Sequence, residues 1–141
     1  MQKSDTDMRS EVIAFARKCI GKSTYRRGAQ LCDAPQTFNC FRFTQWIWLQ
    51  VGVELPEHQL VWPGAISITV DDIAVGDLVF VPRLDYTVAS DDFGHVGIAT
   101  AHSTVIHATK WRNNVVEDPL SVFLKRGCLG LRRVPCCRYT M

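Results

Sequence analysis

Asn39-Cys40-Phe41-Arg42-Phe43-Thr44-Gln45-Trp46-Ile47-Trp48-Leu49-Gln50-Val51-Gly52 reads as a helix with both ends marked. Asn39 suits the N-cap, because its side-chain oxygen can accept from a backbone N–H left open in the first turn. Gly52 suits the stop, because glycine enters the left-handed conformation that closes a helix without strain. Cys40 therefore falls in the first turn. Upstream, Met8, Val12, Ile13, Phe15, Ala16 and Cys19 recur at helical spacing over residues 7–20 and Gly21 follows, so an amphipathic helix comes first. Residues 1–6 read as a flexible lead. Between the two helices, residues 22–38 contain Gly28, Asp33 and Pro35 and hold no period, which predicts a loop approaching the second helix.

After Leu55-Pro56 and a connection containing Trp62, Pro63 and Gly64, the signals change from helix to strand. Residues 78–81, Leu-Val-Phe-Val, form a short buried strand ended by Pro82, and residues 83–93 form a polar loop long enough to overhang a site. Residues 94–100 and 104–108 are two further strands joined by a short turn. A short helix over 119–125 and a last strand over 129–134 complete the chain. Helices first and a mostly antiparallel sheet afterwards define an α+β domain. With 141 residues, 47% apolar and 21% charged, the composition fits one domain spanning 1–141 with its own core.

The formal charge of +2 is too small, and its basic residues too scattered, for a nucleic-acid partner; Arg132, Arg133 and Arg138 read as a solvated edge. No stretch approaches the roughly 18 apolar residues of a membrane span, and MQKSDTDMRS is too polar for a secretion signal, so the expectation is a chain that starts out cytoplasmic. The six cysteines, Cys19, Cys32, Cys40, Cys128, Cys136 and Cys137, contain no C-x-x-C and are expected as free thiols, without a structural metal.

A thiol becomes a useful nucleophile as thiolate, which a helix N-terminus and a neighbouring imidazolium both favour. Cys40 has the first of these. His95 and His107 lie twelve residues apart on consecutive strands. A hairpin centred on Ala101 would set them directly opposite, with Cβ atoms about 5 Å apart and the rings on one face. A two-residue loop at His102-Ser103 would instead pair His107 with Ile98 and put the rings on opposite faces.

In order along the chain stand Tyr25-Arg26-Arg27-Gly28-Ala29, Asn39-Cys40-Phe41-Arg42, Val75-Gly76-Asp77-Leu78-Val79, Gly94-His95-Val96-Gly97-Ile98 and Ile106-His107-Ala108. From about Tyr25 to Leu120 the chain thus resembles the NlpC-type cysteine peptidases, papain-like enzymes that cleave peptide bridges of bacterial cell walls. The resemblance implies Cys40 as nucleophile at a helix N-terminus, His95 as base and then acid, and His107 as the residue orienting His95. It places Tyr25 where the family has an oxyanion tyrosine, with the Cys40 backbone N–H as second donor; a capping aromatic over the core is the other role for Tyr25. Gly76, Asp77, Gly94 and Gly97 are expected to serve turns and close packing.

The chain also departs from that family. An aspartate before the nucleophile and a serine after it line the family's cleft, where resemblance suggests they hold the amino end of a stem peptide; here Asn39 and Phe41 stand in their places. Trp46, Trp48 and Trp62 are either groove walls or, for the two on the helix, core. The expected activity is hydrolysis of an amide in cell-wall peptides through an acyl-enzyme, with no metal or organic cofactor, reached by release or delivery to the wall. Acyl transfer from the same residues, a silent peptide- or glycan-binding groove, and zinc held by Cys40, His95 and His107 are the rivals.

Overall fold

The computed structural model describes residues 4–83 and 94–135. Helix α1 spans Asp5–Cys19, two residues earlier than its apolar pattern suggests, because the Ser4 hydroxyl accepts the Asp7 N–H at 3.0 Å and Asp5 and Asp7 complement the positive end of the helix. Residues 4–6, expected as part of a flexible lead, are therefore the capped start of a helix; residues 1–3 lie outside the described residues. The expected loop over 22–38 contains two strands too short to carry a period, β1 (Thr24–Tyr25) and β2 (Thr37–Phe38), paired in parallel with Tyr25 beside Phe38. Strand β2 runs straight through Asn39 into α2 (Cys40–Leu49).

The remaining elements are β3 (Ile66–Ser67), β4 (Leu78–Val81), β5 (His95–Ala99), β6 (Thr104–Thr109), β7 (Asn114–Pro119), α3 (Leu120–Leu124) and β8 (Gly130–Arg133). The strands among them form an antiparallel sheet in the order β3-β8-β4-β5-β6-β7. Strand β7 is absent from the sequence reading: Val115-Val116-Glu117-Asp118-Pro119 does not alternate, and its proline is tolerated because β7 is at the margin of the sheet. Of the expected overhanging loop, residues 84–93 lie outside the described residues.

The two faces of the sheet are covered differently. Leu78, Phe80, Val96, Ile98, Ile106 and Ala108 pack with Met8, Val12, Ala16, Phe43, Ile47 and Trp48 of α1 and α2. Val79, Val81, Ala99, Val105 and Leu131 form a second cluster with Phe123 of α3. Burial on both faces is why β4 and β5 are apolar without alternation.

The hairpin between β5 and β6 follows neither register considered from sequence. Ile98 opposes Ile106 and Ala99 opposes Val105, so the turn is Ala101-His102-Ser103, closed by Thr100 N–H to the Thr104 carbonyl at 3.0 Å. Ser103 takes a φ of 56°, the left-handed residue that closes a three-residue hairpin loop. In this register His107 falls opposite Gly97, not His95, and the two histidines are diagonal neighbours on one face. The expected shared face holds, and the expected direct opposition does not. Gly97 makes that diagonal possible: a Cβ there would meet Val105 Cγ1 at 2.3 Å and His107 Cβ at 3.1 Å.

Asp77 does more than shape the turn before β4. It is fully buried, accepts the Ala74 N–H at 2.8 Å, and receives Arg133 in bidentate fashion at 3.0 and 2.9 Å, with Arg9 Nη1 4.0 Å away. Those bonds tie the segment before β4 to β8 and α1. Asp77→Ala leaves Arg133 and the Ala74 N–H without their carboxylate, while Arg9 keeps Asp5, so we expect a loss of about 3 kcal/mol in urea unfolding. A loss under about 1 kcal/mol would contradict that role.

Candidate active site

Asn39 forms the expected cap of α2. Its Oδ1 accepts the Arg42 N–H at 2.7 Å while its Nδ2 donates to the Arg27 carbonyl at 2.9 Å, so both polar ends are engaged in holding the helix start against the preceding loop. Cys40 is the first helical residue and is 4% exposed. Phe41 is half-buried against the core, and its carbonyl accepts from Thr44 and Gln59. Tyr25 is held beside Phe38, two residues before Cys40, and its N–H donates to Asn113 Oδ1 at 2.7 Å.

His95 and His107 meet. His95 Nε2 is 2.7 Å from His107 Nδ1, and His107 Nε2 is 2.7 Å from Asp118 Oδ2. Asp118 is in turn hydrogen-bonded by Arg112. The sequence reading missed Asp118 because it missed β7, in which Asp118 pairs with Val105 and so reaches the His107 face. Phe123 closes over both rings, with centroids 5.6 Å from His95 and 4.8 Å from His107.

Proton positions follow from these partners. Burial alone would raise the Asp118 carboxyl, but the His107 and Arg112 hydrogen bonds outweigh it and hold the group below the usual carboxylate range. An ionised Asp118 only accepts, so His107 donates from Nε2 and its Nδ1 accepts from His95 Nε2–H. His95 Nδ1 is then the nitrogen with a lone pair available.

Burial, followed by the positive influence of His107, Arg126 and Arg83, holds His95 well below the usual imidazole range. Burial also brings His107 down to about 4, against the opposing pull of Asp118. Burial thus favours the neutral form of both rings at pH 7. Because both folded-state values lie below 6.5, the unfolded chain binds these protons more readily. Their contribution to stability is complete above pH 6.5 and is lost as pH falls towards 4. His107 alone should cost on the order of 3 kcal/mol by pH 4; a urea midpoint unchanged between pH 7 and pH 4.5 would contradict this.

The cleft beside His95 is lined by Tyr25, Arg83, Lys110, Trp111 and Arg126 among others. Arg126 sits 5.2 Å above the Phe123 ring, and its charge is felt by both Cys40 and His95. None of the three tryptophans considered from sequence lines this cleft: Trp48 is fully buried in the core, and Trp46 and Trp62 pack against it. The tryptophan at the cleft is Trp111, 59% exposed. Among the described residues no cluster of histidine, cysteine and carboxylate side chains is arranged to hold a metal ion, and Cys19, Cys32, Cys40 and Cys128 are free thiols. No helix among them is long and apolar enough to cross a membrane.

Two helices followed by an antiparallel sheet, with a cysteine at the second helix's N-terminus and histidines on the central strands, define a papain-like α+β domain. The NlpC/P60 family model matches residues 22–133, and the chain belongs to the NlpC/P60 family. A probable endopeptidase of Corynebacterium glutamicum is 35% identical over 110 residues, 77% of this chain and 47% of that protein. A probable endopeptidase p60 of Listeria seeligeri is 32% identical over 98 residues, 69% of this chain and 17% of that protein. The chain thus spans half or less of the length of these relatives. Among solved structures, a lipoprotein-like NLP/P60 protein from Staphylococcus aureus superposes with a TM-score of 0.74 at 23% identity, covering 94% of this chain and 43% of that one. The peptidoglycan hydrolase RipB from Mycobacterium tuberculosis does so with a TM-score of 0.72 at 18% identity, covering 95% and 67%.

Proposed function

We propose that this domain is a cysteine hydrolase that cleaves an amide bond in bacterial cell-wall peptides, with Cys40 as nucleophile, His95 as base and acid, and His107 and Asp118 orienting His95. The observation that carries this reading is the hydrogen-bonded chain from His95 Nε2 through His107 to Asp118, which leaves His95 Nδ1 as the one ring nitrogen able to take a proton. Such a chain fixes tautomer and ring orientation, which a general base needs and a merely buried histidine does not.

The Cys40 thiol transfers its proton to His95 Nδ1 as sulfur adds to the amide carbonyl. The resulting oxyanion is received by the Cys40 backbone N–H, at the positive end of α2, and by the Tyr25 hydroxyl. His95 then protonates the departing amine, leaving a thioester on Cys40. Water, deprotonated by His95, attacks the thioester and releases the acid with the thiol restored. A neutral resting His95 suits the first step, because it starts with an empty proton site. Cell-wall peptide as substrate is supported by family membership and by the endopeptidase and peptidoglycan-hydrolase names of the relatives.

The test is to digest purified peptidoglycan with the wild-type domain and with Cys40→Ala and to identify the released peptides by mass spectrometry. New amino termini at one type of bond, absent with Cys40→Ala, are expected. Equal release by the two proteins, or binding to the polymer without release by either, would overturn the reading.

A further inference from the structure

The segment running through β1 uses its two edges differently. The N–H groups of Thr24 and Arg26 donate to the Gln36 and Phe38 carbonyls at 2.8 and 3.0 Å, which is the pairing with β2. The N–H groups between them point to the opposite edge, towards the start of β7. Gly21 N–H reaches the Val115 carbonyl at 3.2 Å, an ordinary backbone bond. Further along, side chains take over: Ser23 N–H donates to Asn114 Oδ1 at 3.3 Å and Tyr25 N–H to Asn113 Oδ1 at 2.7 Å. Two asparagine amides thus stand where a neighbouring strand would offer carbonyls, and they supply the bonds that an extended backbone requires. Asn113 is suited to its place. Its φ of 49° lies in the left-handed region that asparagine enters more readily than most residues, and its own N–H closes the turn on the Lys110 carbonyl at 3.1 Å. That turn joins β6, which carries His107, to β7, which carries Asp118. One hairpin therefore bears both residues that orient His95 and, through a single side chain, grips the backbone of Tyr25, which lines the same cleft as His95.

We infer that Asn113 is a positioning residue for the reaction: its side-chain oxygen fixes the Tyr25 backbone, so that the phenol is set in register with the hairpin that orients His95. This rests on the thiol-hydrolase reading above, in which the Tyr25 hydroxyl donates to the oxyanion, and adds what holds that donor in place. An oxyanion donor contributes only when it is aimed before the charge develops, and a misplacement of about 1 Å can cost on the order of 100-fold in rate. Asn113 touches no reacting atom in this account and acts through Tyr25. Two substitutions separate its bond from its backbone shape. Asn113→Gly adopts the left-handed conformation without strain and removes the acceptor. Asn113→Asp tolerates the same conformation and keeps an acceptor oxygen.

The test is a double-mutant cycle between Asn113 and Tyr25, read as the initial rate of peptide release from saturating purified peptidoglycan. Tyr25→Phe should lower that rate by about 100-fold, the scale for losing one oxyanion donor. Asn113→Gly should lower it by about 10-fold, and Asn113→Asp should stay within about 2-fold of wild type. In the Tyr25→Phe background, Asn113→Gly should change the rate by less than about 2-fold, because no hydroxyl is left to aim. Iodoacetamide modification of Cys40 supplies the control: it displaces iodide and forms no oxyanion, so its rate should remain near wild type in Asn113→Gly, which also reports an intact fold. A wild-type rate of peptide release in Asn113→Gly, or a loss equally large with and without the Tyr25 hydroxyl, overturns the inference; so does an Asn113→Asp variant as slow as Asn113→Gly. If Tyr25→Phe itself releases peptide at the wild-type rate, Tyr25 is no oxyanion donor and the inference falls while the Cys40–His95 reading stands. If the wild-type domain releases no peptide, the two fall together.

Discussion

His95→Ala should reduce peptide release by about 10³- to 10⁴-fold, the upper part of the range expected when a general base and acid is removed. The size of the effect follows from the two proton transfers assigned to His95, one in acylation and one in deacylation, so no single step can proceed normally without it. A collapse of the fold is the competing cause of a loss. His95 is 8% exposed and packs beside Phe123, so truncation leaves a small void and removes the partner of His107 Nδ1. His95→Gln, which refills most of that space, should be as inactive as the alanine variant and should unfold in urea close to wild type. Activity within about 10-fold of wild type in either variant would exclude His95 as the base.

The second large effect is expected at Asp118, which touches no substrate in this account and acts through His107. Asn at that position keeps an oxygen for His107 Nε2–H, but it also offers N–H donors, so the opposite tautomer of His107 becomes accessible and His95 loses its fixed orientation. Arg112 loses its ion-pair partner at the same time. We expect kcat to fall by about 10- to 100-fold with KM little changed, the scale seen when an outer partner of a functional histidine is removed. A purely structural role would not alter the ring nitrogens. Nitrogen NMR of the imidazoles should therefore show His107 protonated at Nε2 and His95 protonated at Nε2 in the wild type, with mixed tautomers in Asp118→Asn and partial recovery of kcat in Asp118→Glu. Wild-type tautomers and kcat in Asp118→Asn would remove Asp118 from the mechanism.

The parts of the site that were legible in the sequence are those set by local signals. Asn39 and Gly52 mark the helix that carries Cys40, and the cap bond to Arg42 forms as the residue types suggest. The strands bearing His95 and His107 were placed within a residue or two because their apolar runs are short and bounded. Their register was not, since a left-handed Ser103 that adds one residue to the turn leaves no mark in composition. What pairing at a distance decides was also missed. Tyr25 was named by its motif, but the two-residue parallel strand that aligns it was not, nor were Asp118 on a marginal strand without alternation and Arg126 in the turn after a five-residue helix. None of these has a period to read. The shift of the histidines towards the neutral form is a further consequence of their burial on one sheet face beneath Phe123, which spacing cannot report.

The most direct test of the Cys40–His95 assignment is the rate of iodoacetamide modification at each cysteine between pH 6 and pH 9, in wild type and in His95→Ala. Cys40 is nearly buried, whereas Cys32 and Cys128 are exposed, so accessibility alone ranks Cys40 below both. If Cys40 is activated by His95 it should instead react fastest, and should fall below Cys32 and Cys128 when His95 is removed. A Cys40 that reacts no faster than those two in the folded wild-type protein would contradict the catalytic role given to it.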